Sequence, residues 1–330
     1  IFQIGDQAAD RWLRDVQHGG CGGDPAAHHH RPERLDLSHP HGDIVFTNEL
    51  VTQFDWMRWP FWRQNGFNNS PYPEETMKYE QQREQFQREG YAVFERVLEG
   101  DLLDILRAQC GRMVEREDAR LDALGVDVDG ITHRGNRYFA GECQRVQPEL
   151  REMLFSDVMA DICRATIGDD AYFFYDQYVV KGAGGGMSFS WHQDSGYVVG
   201  NGGPPDHAPY LTCWCTLDDT TIENGTVRVL PFSQVPATRD GIVPHVRQPG
   251  TNDLVGWTGD EEGVVVEVPA GSIVAFSSLL LHATGANRTD RMRRVYLAQY
   301  SPEVILNPGT KQLRRNAIPV LRNGKQVTFA

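Results

Sequence analysis

The spacing of apolar residues divides the chain into a helical part and a strand-rich part. In residues 102–113, apolar side chains recur every three or four positions, which is the period of a helix with one buried face. An earlier helix is predicted to stop at Gly90, and a later one is predicted to begin at Ser156, a residue suited to a helix N-cap, and to run to Gly168. The pattern therefore predicts that helices come first along the chain.

After Gly168 the apolar runs are rich in β-branched and aromatic residues and are divided by turn residues. In chain order these runs are AYFFYDQYVVKG, PYLTCWCTLDD, GTVRVLPFS, GVVVEVPAGSIVAFSSLLLH and RRVYLAQYSPE. Six or more strands joined by short turns are typical of a sandwich or a barrel. Helices grouped at one end of the sequence are expected to pack on one face of such a barrel. The predicted fold class is therefore mainly β with flanking helices.

The first 76 residues follow neither pattern. Clusters of Gly, Pro and His are followed by the aromatic-rich stretch FDWMRWPFWRQNGF. The aromatic surface of Trp56, Trp59 and Trp62 must be buried, so we expect it to pack on the main domain, to line a lid or to form a subunit contact. We predict an irregular N-terminal extension, residues 1–76, and a domain that covers residues 77–330.

The charge of the chain disfavours two classes of binding partner. The 45 acidic residues outnumber the 32 Lys and Arg, and the net charge of −13 disfavours nucleic acid and anionic membranes as partners. No apolar run approaches the roughly 18 residues of a membrane span. Cys213 and Cys215 lie two apart in an apolar run; they are expected to be small buried thiols, with a zinc or redox pair as the alternative. We therefore expect a reduced, cytoplasmic protein.

A histidine and an aspartate lie two residues apart in the stretch SWHQDSGY. Residues i and i+2 of an extended segment point the same way, so His192 and Asp194 are able to present a nitrogen and an oxygen to one metal ion. His282, at the end of an apolar run, is the candidate for a third ligand; the alternative is a histidine bonded to a backbone carbonyl. Two histidines and one carboxylate are the ligand set of non-haem Fe(II) oxygenases. Arg293 lies beyond the next turn and suits the far carboxylate of a 2-oxo acid.

Over roughly residues 78 to 302 the chain resembles the phytanoyl-CoA dioxygenase family of Fe(II)/2-oxoglutarate oxygenases. The motifs that carry the resemblance are EQFQREGYAVFERVLEGDLLDILR, WHQDSGY, NGTVRVLPFSQ and HATGANRTDRMRRVYLAQY. The resemblance implies a double-stranded β-helix, which is a jelly-roll or cupin-like barrel made of two sheets.

The resemblance also implies roles for single residues. The three candidate ligands match the iron ligands of the family, and Arg293 matches the arginine that holds the C5 carboxylate of 2-oxoglutarate. Arg291 and Arg294 are the alternatives to Arg293. Arg294 is expected to face the opposite side of the strand, and Arg291 shares the parity of Arg293 but lies nearer the turn.

Three further residues complete the predicted cosubstrate site. Thr284 matches a hydroxyl that assists the arginine, and Trp214 matches an aromatic residue near the cosubstrate. Gln177 is a candidate polar contact to cosubstrate or substrate; the alternative is a glutamine that is hydrogen-bonded inside the barrel.

The implied activity is the oxidation, in the first place the hydroxylation, of an unactivated C–H bond with Fe(II), 2-oxoglutarate and O2, which yields succinate and CO2. The expected substrate is a small molecule and not a CoA ester, because no Lys/Arg cluster is placed to receive the CoA phosphates. The alternative function is a cupin-like metal protein with a non-oxidative or regulatory binding role. The sequence does not indicate the oligomeric state.

Overall fold

The computed structural model describes residues 78–327 of the chain. The helices in this range are α1 (Glu80–Glu89), α2 (Asp101–Leu124), α3 (Leu150–Leu154), α4 (Asp157–Thr166) and α5 (Asp194–Gly200). The strands are β1 (Tyr91–Phe94), β2 (Val128–Asp129), β3 (Thr132–His133), β4 (Arg137–Gly141), β5 (Ala171–Lys181), β6 (Phe189–His192), β7 (Leu211–Thr216), β8 (Val227–Leu230), β9 (Val246–Arg247), β10 (Leu254–Val255), β11 (Val264–Val265), β12 (Ile273–Ser277), β13 (Leu281–Thr284), β14 (Arg293–Ser301), β15 (Ile318–Arg322) and β16 (Lys325–Gln326). None of the helices within the described range combines the length and the apolar character needed to cross a membrane.

The predicted N-terminal extension, residues 1–76, lies outside the described residues. The division of the chain at residue 77 and the packing of the three tryptophans therefore stay predictions.

Two antiparallel sheets form the barrel. The large sheet has the strand order β1-β12-β7-β14-β5-β4-β3-β2, and β15 and β16 extend it beside β5. The small sheet has the order β11-β8-β13-β6, and β9 and β10 form a separate hairpin. Most neighbouring strands are distant in sequence, as the crossovers of a jelly roll require. The predicted fold class, mainly β with flanking helices, is confirmed.

An apolar core fills the space between the two sheets. Side chains alternate between the faces of a strand, and along β5 Val179 points into this core whereas Tyr178 points to the opposite face. Trp214 of β7 and Leu297 of β14 also point inward, and Val229 of β8 meets them from the small sheet. The inner face of the large sheet is therefore the surface on which a site inside the barrel is built.

Helices cover the outer face of the large sheet, as the sequence predicts. Leu106 and Met113 of α2 and Ile162 of α4 pack in one buried cluster with Cys213 and Cys215 of β7. Both cysteines are fully buried thiols, which confirms the prediction made for them, and burial raises the pKa of each. The helices therefore pack on one face of the large sheet, and the opposite face points into the barrel.

The predicted start of α4 is confirmed and its end lies slightly earlier than expected. The Ser156 hydroxyl accepts a hydrogen bond from the Met159 N–H at 3.4 Å, as an N-cap does. The helix ends at Thr166, before the predicted Gly168, because the next two N–H groups both donate to the Cys163 carbonyl and close the last turn.

Gly90 ends α1, as predicted, for two separate reasons. Its φ of 80° lies in the left-handed region that glycine adopts without strain. A Cβ at this position would also lie 2.6 Å from the ring of Phe232. The N–H of Gly90 closes the helix by donating to the Phe86 carbonyl at 2.8 Å, and the chain then enters β1.

A pair of glycine variants separates these two reasons. Gly125 ends α2 with a φ of 67° and has nothing within 4 Å of its Cβ position. We expect Gly125→Ala to lower the free energy of unfolding by about 1–2 kcal/mol through backbone strain alone. Gly90→Ala should lose about 1–3 kcal/mol more, because its methyl group crowds Phe232. Urea unfolding of both variants measures the difference, and equal losses would contradict the role of Phe232.

Candidate metal centre

His192, Asp194 and His282 form one buried cluster. The Nε2 atoms of both histidines lie 3.6 Å from Asp194 Oδ1, and the ligand atoms of the three residues all lie within 4.8 Å of one another. Among residues 78–327, this is the group of His, Cys, Asp and Glu side chains arranged to hold a metal ion. The structure therefore brings together the three residues that the sequence singles out.

Strand pairing and one tight turn explain this convergence. His192 ends β6 and is the direct antiparallel partner of His282 on β13. Asp194 is the first residue of α5 and follows Gln193, which is still extended. The sequence predicts an extended H-x-D segment, and this is corrected here: a strand-to-helix junction presents the carboxylate. The buried Gln193 side chain holds the junction by donating to the Leu279 carbonyl at 2.6 Å.

Each imidazole is oriented by its own strand. His192 Nδ1 lies 2.8 Å from the Ser190 carbonyl, and His282 Nδ1 lies 3.0 Å from the Leu280 carbonyl. Because a carbonyl only accepts, Nδ1 carries the proton in both rings and Nε2 offers its lone pair towards Asp194. Burial, and then electrostatic repulsion from His192, lowers the pKa of His282 to about 4. The ring is therefore neutral at pH 7, which is the form that binds a metal.

The two oxygens of the Asp194 carboxylate have different surroundings. Oδ2 accepts hydrogen bonds from Thr212 Oγ1 at 2.5 Å and from Gln299 Nε2 at 3.1 Å. Oδ1 faces the two histidines. Burial acts to raise the pKa of Asp194, but His282, His192 and the Thr212 hydrogen bond outweigh it and lower the pKa to about 2. Asp194 is therefore an ionised carboxylate with one oxygen directed at the candidate metal position.

Arg293, at the start of β14, is a buried cation with free donors. Its Nη2 donates to the Gly225 carbonyl at 3.3 Å, and its guanidinium carbon lies 5.4 Å from the ring centre of Trp214. Nε and Nη1 are buried and have no hydrogen-bond partner. Burial lowers the pKa of Arg293 to about 9. Buried N–H groups without partners are costly, so this arrangement fits a guanidinium whose free donors receive an anion such as a carboxylate.

The two alternatives to Arg293 face elsewhere. Arg294 points to the opposite side of β14, as predicted, and bonds to both carboxylate oxygens of Asp218 at 3.0 and 2.5 Å. The side chain of Arg291 is 90% exposed and precedes the strand. Neither guanidinium is directed into the barrel, which leaves Arg293 as the inward cation of the three.

The remaining predicted residues lie on the inner faces of the strands. Thr284 is half-buried, two residues beyond His282 on β13. Gln177 of β5 is half-buried and shares a cross-strand row with Trp214 of β7, because Leu297 pairs with both. Both side chains are half-buried on strands that carry the candidate site, and their roles stay predictions.

Sequence reasoning missed the two residues that hold Asp194. Thr212 lies two residues before Trp214 on β7, and Gln299 lies six residues after Arg293 on β14. Residues separated by an even number share a face of a strand. The even spacing predicts that both residues face inward. It does not show that they reach Asp194, because that depends on the pairing of β7 with β14.

The family described as Phytanoyl-CoA dioxygenase (PhyH) matches residues 86–295. The chain is 27% identical over 217 residues to an ectoine dioxygenase of Sphingopyxis alaskensis, covering 62% of this chain and 69% of that protein. It is 27% identical over 165 residues to an L-proline trans-4-hydroxylase of Streptomyces griseoviridis, covering 43% of this chain and 59% of that protein. The crystal structure of EctD from S. alaskensis with 2-oxoglutarate and 5-hydroxyectoine is 19% identical, with a TM-score of 0.56, and covers 77% of this chain and 88% of that chain. This structural likeness shows a shared fold.

Thr212→Val tests the support of Asp194. The change replaces a hydroxyl with a methyl group of similar shape, so Asp194 Oδ2 loses its shortest hydrogen bond. We expect the affinity for Mn(II), measured by titration calorimetry, to fall about 10- to 100-fold. Thr216→Val is the control, because this buried threonine of the same strand bonds to the Pro269 and Ser272 carbonyls. Equal losses in both variants would contradict a specific role of Thr212.

Proposed function

The chain belongs to the phytanoyl-CoA dioxygenase family, and from this premise we propose that it is an Fe(II)- and 2-oxoglutarate-dependent dioxygenase that hydroxylates an unactivated C–H bond of a small molecule. The observation that carries the proposal is the buried cluster of His192, Asp194 and His282 on the same barrel as the unpaired donors of Arg293. One set of groups suits the metal and the other suits a dicarboxylic cosubstrate.

We assign the iron to the histidine and aspartate cluster because its donor set fits. Two neutral imidazole nitrogens and one carboxylate oxygen are the protein ligands that non-haem Fe(II) oxygenases use, with the other coordination positions left open. The bonds to the Ser190 and Leu280 carbonyls orient the two rings before any metal binds. Thr212 and Gln299 do the same for the carboxylate.

We assign the far carboxylate of 2-oxoglutarate to Arg293. Two of its donors, Nε and Nη1, are buried without a partner and are free to bond to carboxylate oxygens. Trp214 supports the guanidinium from one side. The Thr284 hydroxyl and the Gln177 amide are assigned to the cosubstrate or the substrate, because each lies on an inner strand face.

When bound, iron with 2-oxoglutarate and O2 supplies the oxidation of the C–H bond, and 2-oxoglutarate is released as succinate and CO2. The chain contributes orientation and the exclusion of water. Phe276 lies 4.4 Å from the ring of His282, and Phe189 and Tyr197 lie 4.6 and 5.3 Å from the ring of His192. These aromatic walls keep water away from the metal position and limit where a substrate is able to approach it.

We propose a small substrate without CoA. The chain is acidic, with a net charge of −13, whereas a CoA ester brings several phosphate charges that need basic partners. The named relatives, an ectoine dioxygenase and an L-proline hydroxylase, are consistent with a small polar substrate. We also propose a reducing location such as the cytoplasm, with neither nucleic acid nor membrane as a partner, because the cysteines of the described residues are free thiols.

Anaerobic reconstitution tests the proposed function. The full chain is loaded with Fe(II), and 2-oxoglutarate is then added while the visible absorption of the metal–cosubstrate chelate is followed. Admission of O2 should produce succinate. A protein that binds Fe(II) but shows neither the absorption nor succinate would contradict the proposal and support a non-oxidative role.

The ligand assignment predicts the behaviour of two histidine variants. His192→Ala and His282→Ala each remove one of three protein ligands, so both should lose stoichiometric Fe(II) binding and turnover. Metal content after anaerobic desalting measures the loss. His245→Ala, which removes a half-buried histidine bonded to the Gln193 N–H at 3.0 Å, should retain more iron than either. One bound iron and full activity in either ligand variant would refute the assignment.

The cosubstrate assignment predicts a contrast between two arginines. Arg293→Ala should weaken 2-oxoglutarate binding by about 2–5 kcal/mol, because a buried carboxylate loses its charged partner. The affinity for Fe(II) should change much less. Arg291→Ala is the matched control and should leave both affinities unchanged, since its side chain is 90% exposed. Calorimetric titration of both variants with 2-oxoglutarate measures the contrast. A larger loss of affinity in Arg291→Ala than in Arg293→Ala would contradict the assignment.

A further inference from the structure

The strand that carries His192 lies at the edge of its sheet. The small sheet has the order β11-β8-β13-β6, so within the described residues β6 pairs with β13 alone. The backbone groups on the outer edge of β6 need other partners, because a buried N–H or C=O group without one is costly. Residues 251–256, which include β10, supply such partners, and the Gly256 N–H donates to the Trp191 carbonyl at 2.8 Å. A segment inserted between β8 and β11 therefore covers this edge.

Asp253 lies in this segment and uses both of its carboxylate oxygens. Oδ2 accepts from the Ser190 N–H and from the Ser190 hydroxyl, both at 3.2 Å. Oδ1 accepts from Arg137 Nη2 at 2.7 Å, and Arg137 Nη1 donates to the Ser188 carbonyl at 2.8 Å. Arg137 and Asp253 have relative exposures of 0% and 2%. This buried ion pair is therefore bonded to the chain immediately before β6 and within it.

Ser190 links the ion pair to the metal cluster. Its N–H and hydroxyl are held by Asp253, and its carbonyl lies 2.8 Å from His192 Nδ1, whose proton it accepts. The N–H of the next residue, Leu254, donates to the Tyr197 hydroxyl at 2.9 Å, and the Tyr197 ring lies 5.3 Å from the ring of His192. Two consecutive residues of the inserted segment are thus bonded to groups that contact His192.

The orientation of the Asp253 carboxylate is itself fixed. All three guanidinium nitrogens of Arg137 are bonded, since Nε also donates to the Ile131 carbonyl at 3.0 Å and Nη2 to the Thr251 carbonyl at 3.1 Å. Such a buried ion pair adds little to stability, because apolar replacements of similar size are often neutral or stabilising. The contribution of Arg137 and Asp253 is therefore to be sought in the geometry that they impose on Ser190.

We propose that Arg137 and Asp253 are positioning residues of the metal centre, which fix Ser190 and through its carbonyl hold the ring of His192 in the orientation that a metal ion needs. The inference rests on the proposed function, because it concerns the metal centre of that reaction. Neither residue belongs to the cluster of candidate ligands, so both act through Ser190. Groups that orient a ligand histidine contribute about 10- to 100-fold to metal affinity.

Two double variants separate the bond to Ser190 from the charges of the pair. Arg137→Met/Asp253→Leu removes both charges and the acceptor for Ser190. Arg137→Met/Asp253→Asn also removes both charges but keeps an amide oxygen that is able to accept from the Ser190 N–H. The control is Arg164→Met/Asp161→Leu, which removes an ion pair of α4 at 2.7 Å. Urea unfolding of each metal-free protein shows which variants are folded.

Calorimetric titration with Mn(II) measures the metal affinity of each folded protein. We expect Arg137→Met/Asp253→Leu to bind Mn(II) at least about tenfold more weakly than the wild type, and Arg137→Met/Asp253→Asn to recover part of that loss. The control should keep the wild-type affinity. The visible absorption of the Co(II)-loaded protein, which reports the coordination geometry, should change in the first variant and not in the control.

A measurement on the unmodified chain does not depend on the folding of any variant. If the bond between Asp253 and Ser190 favours metal binding, metal binding must strengthen that bond by the same free energy. Mn(II) should therefore slow the amide hydrogen exchange of residues 251–256, measured by mass spectrometry of the peptides. The exchange of the C-terminal turn of α2 should stay unchanged.

Three results would overturn the proposal. One is a folded Arg137→Met/Asp253→Leu variant that loses no more affinity for Mn(II) than the control. Another is an equal loss in the two Asp253 variants, which would assign the effect to charge and not to the bond with Ser190. The third is hydrogen exchange in residues 251–256 that Mn(II) leaves unchanged. Failure of the wild type itself to bind Mn(II) is a different result, because it would refute the metal centre and with it the proposed function.

Discussion

The antiparallel pairing of β6 with β13 is the constraint on which the site depends. It places His192 directly beside His282, and each ring is then oriented by a carbonyl of its own strand. β13 is also paired with β8 on its other side, so it is held at both edges. With the strands fixed in this way, only the short junction after β6 is needed to bring Asp194 to the two rings.

The cations on the central strands of the large sheet are of two kinds. Arg137, which is buried, and Arg294, which is half-buried on the outer face, each have a carboxylate partner. Lys181 and Arg293 are equally deep or deeper, yet each contacts only a neutral carbonyl of a neighbouring turn. Unpaired buried charge opposes folding unless a counter-charge is supplied, and this is the physical basis of the carboxylate-binding role proposed for Arg293. A similar argument applies to Asp194, whose Oδ1 faces the Nε2 atoms of the two histidines at 3.6 Å.

The large sheet separates support from chemistry by the alternation of its side chains. On β7, Cys213 and Cys215 pack against the helices, whereas Thr212 and Trp214 face the barrel. The same alternation on β14 sends Arg293 inward and Arg294 outward. The helix layer therefore packs on one side of the strands, and the polar groups of the candidate site are carried on the other side by strands and not by loops.

The order of elements, the class of fold and the three residues of the candidate metal cluster could all be predicted from the sequence. These follow from local properties: the period of apolar residues, the chemistry of the SWHQDSGY stretch, and the spacing of His282 and Arg293 along one hairpin. Three features could not be predicted from the sequence: Asp194 opens a helix, Thr212 and Gln299 bond to its carboxylate, and Lys181 lies beside Arg293. This is because cross-strand register joins residues as distant in sequence as Tyr91 and Phe276, and register is set by the packing of whole sheets, which no local pattern encodes.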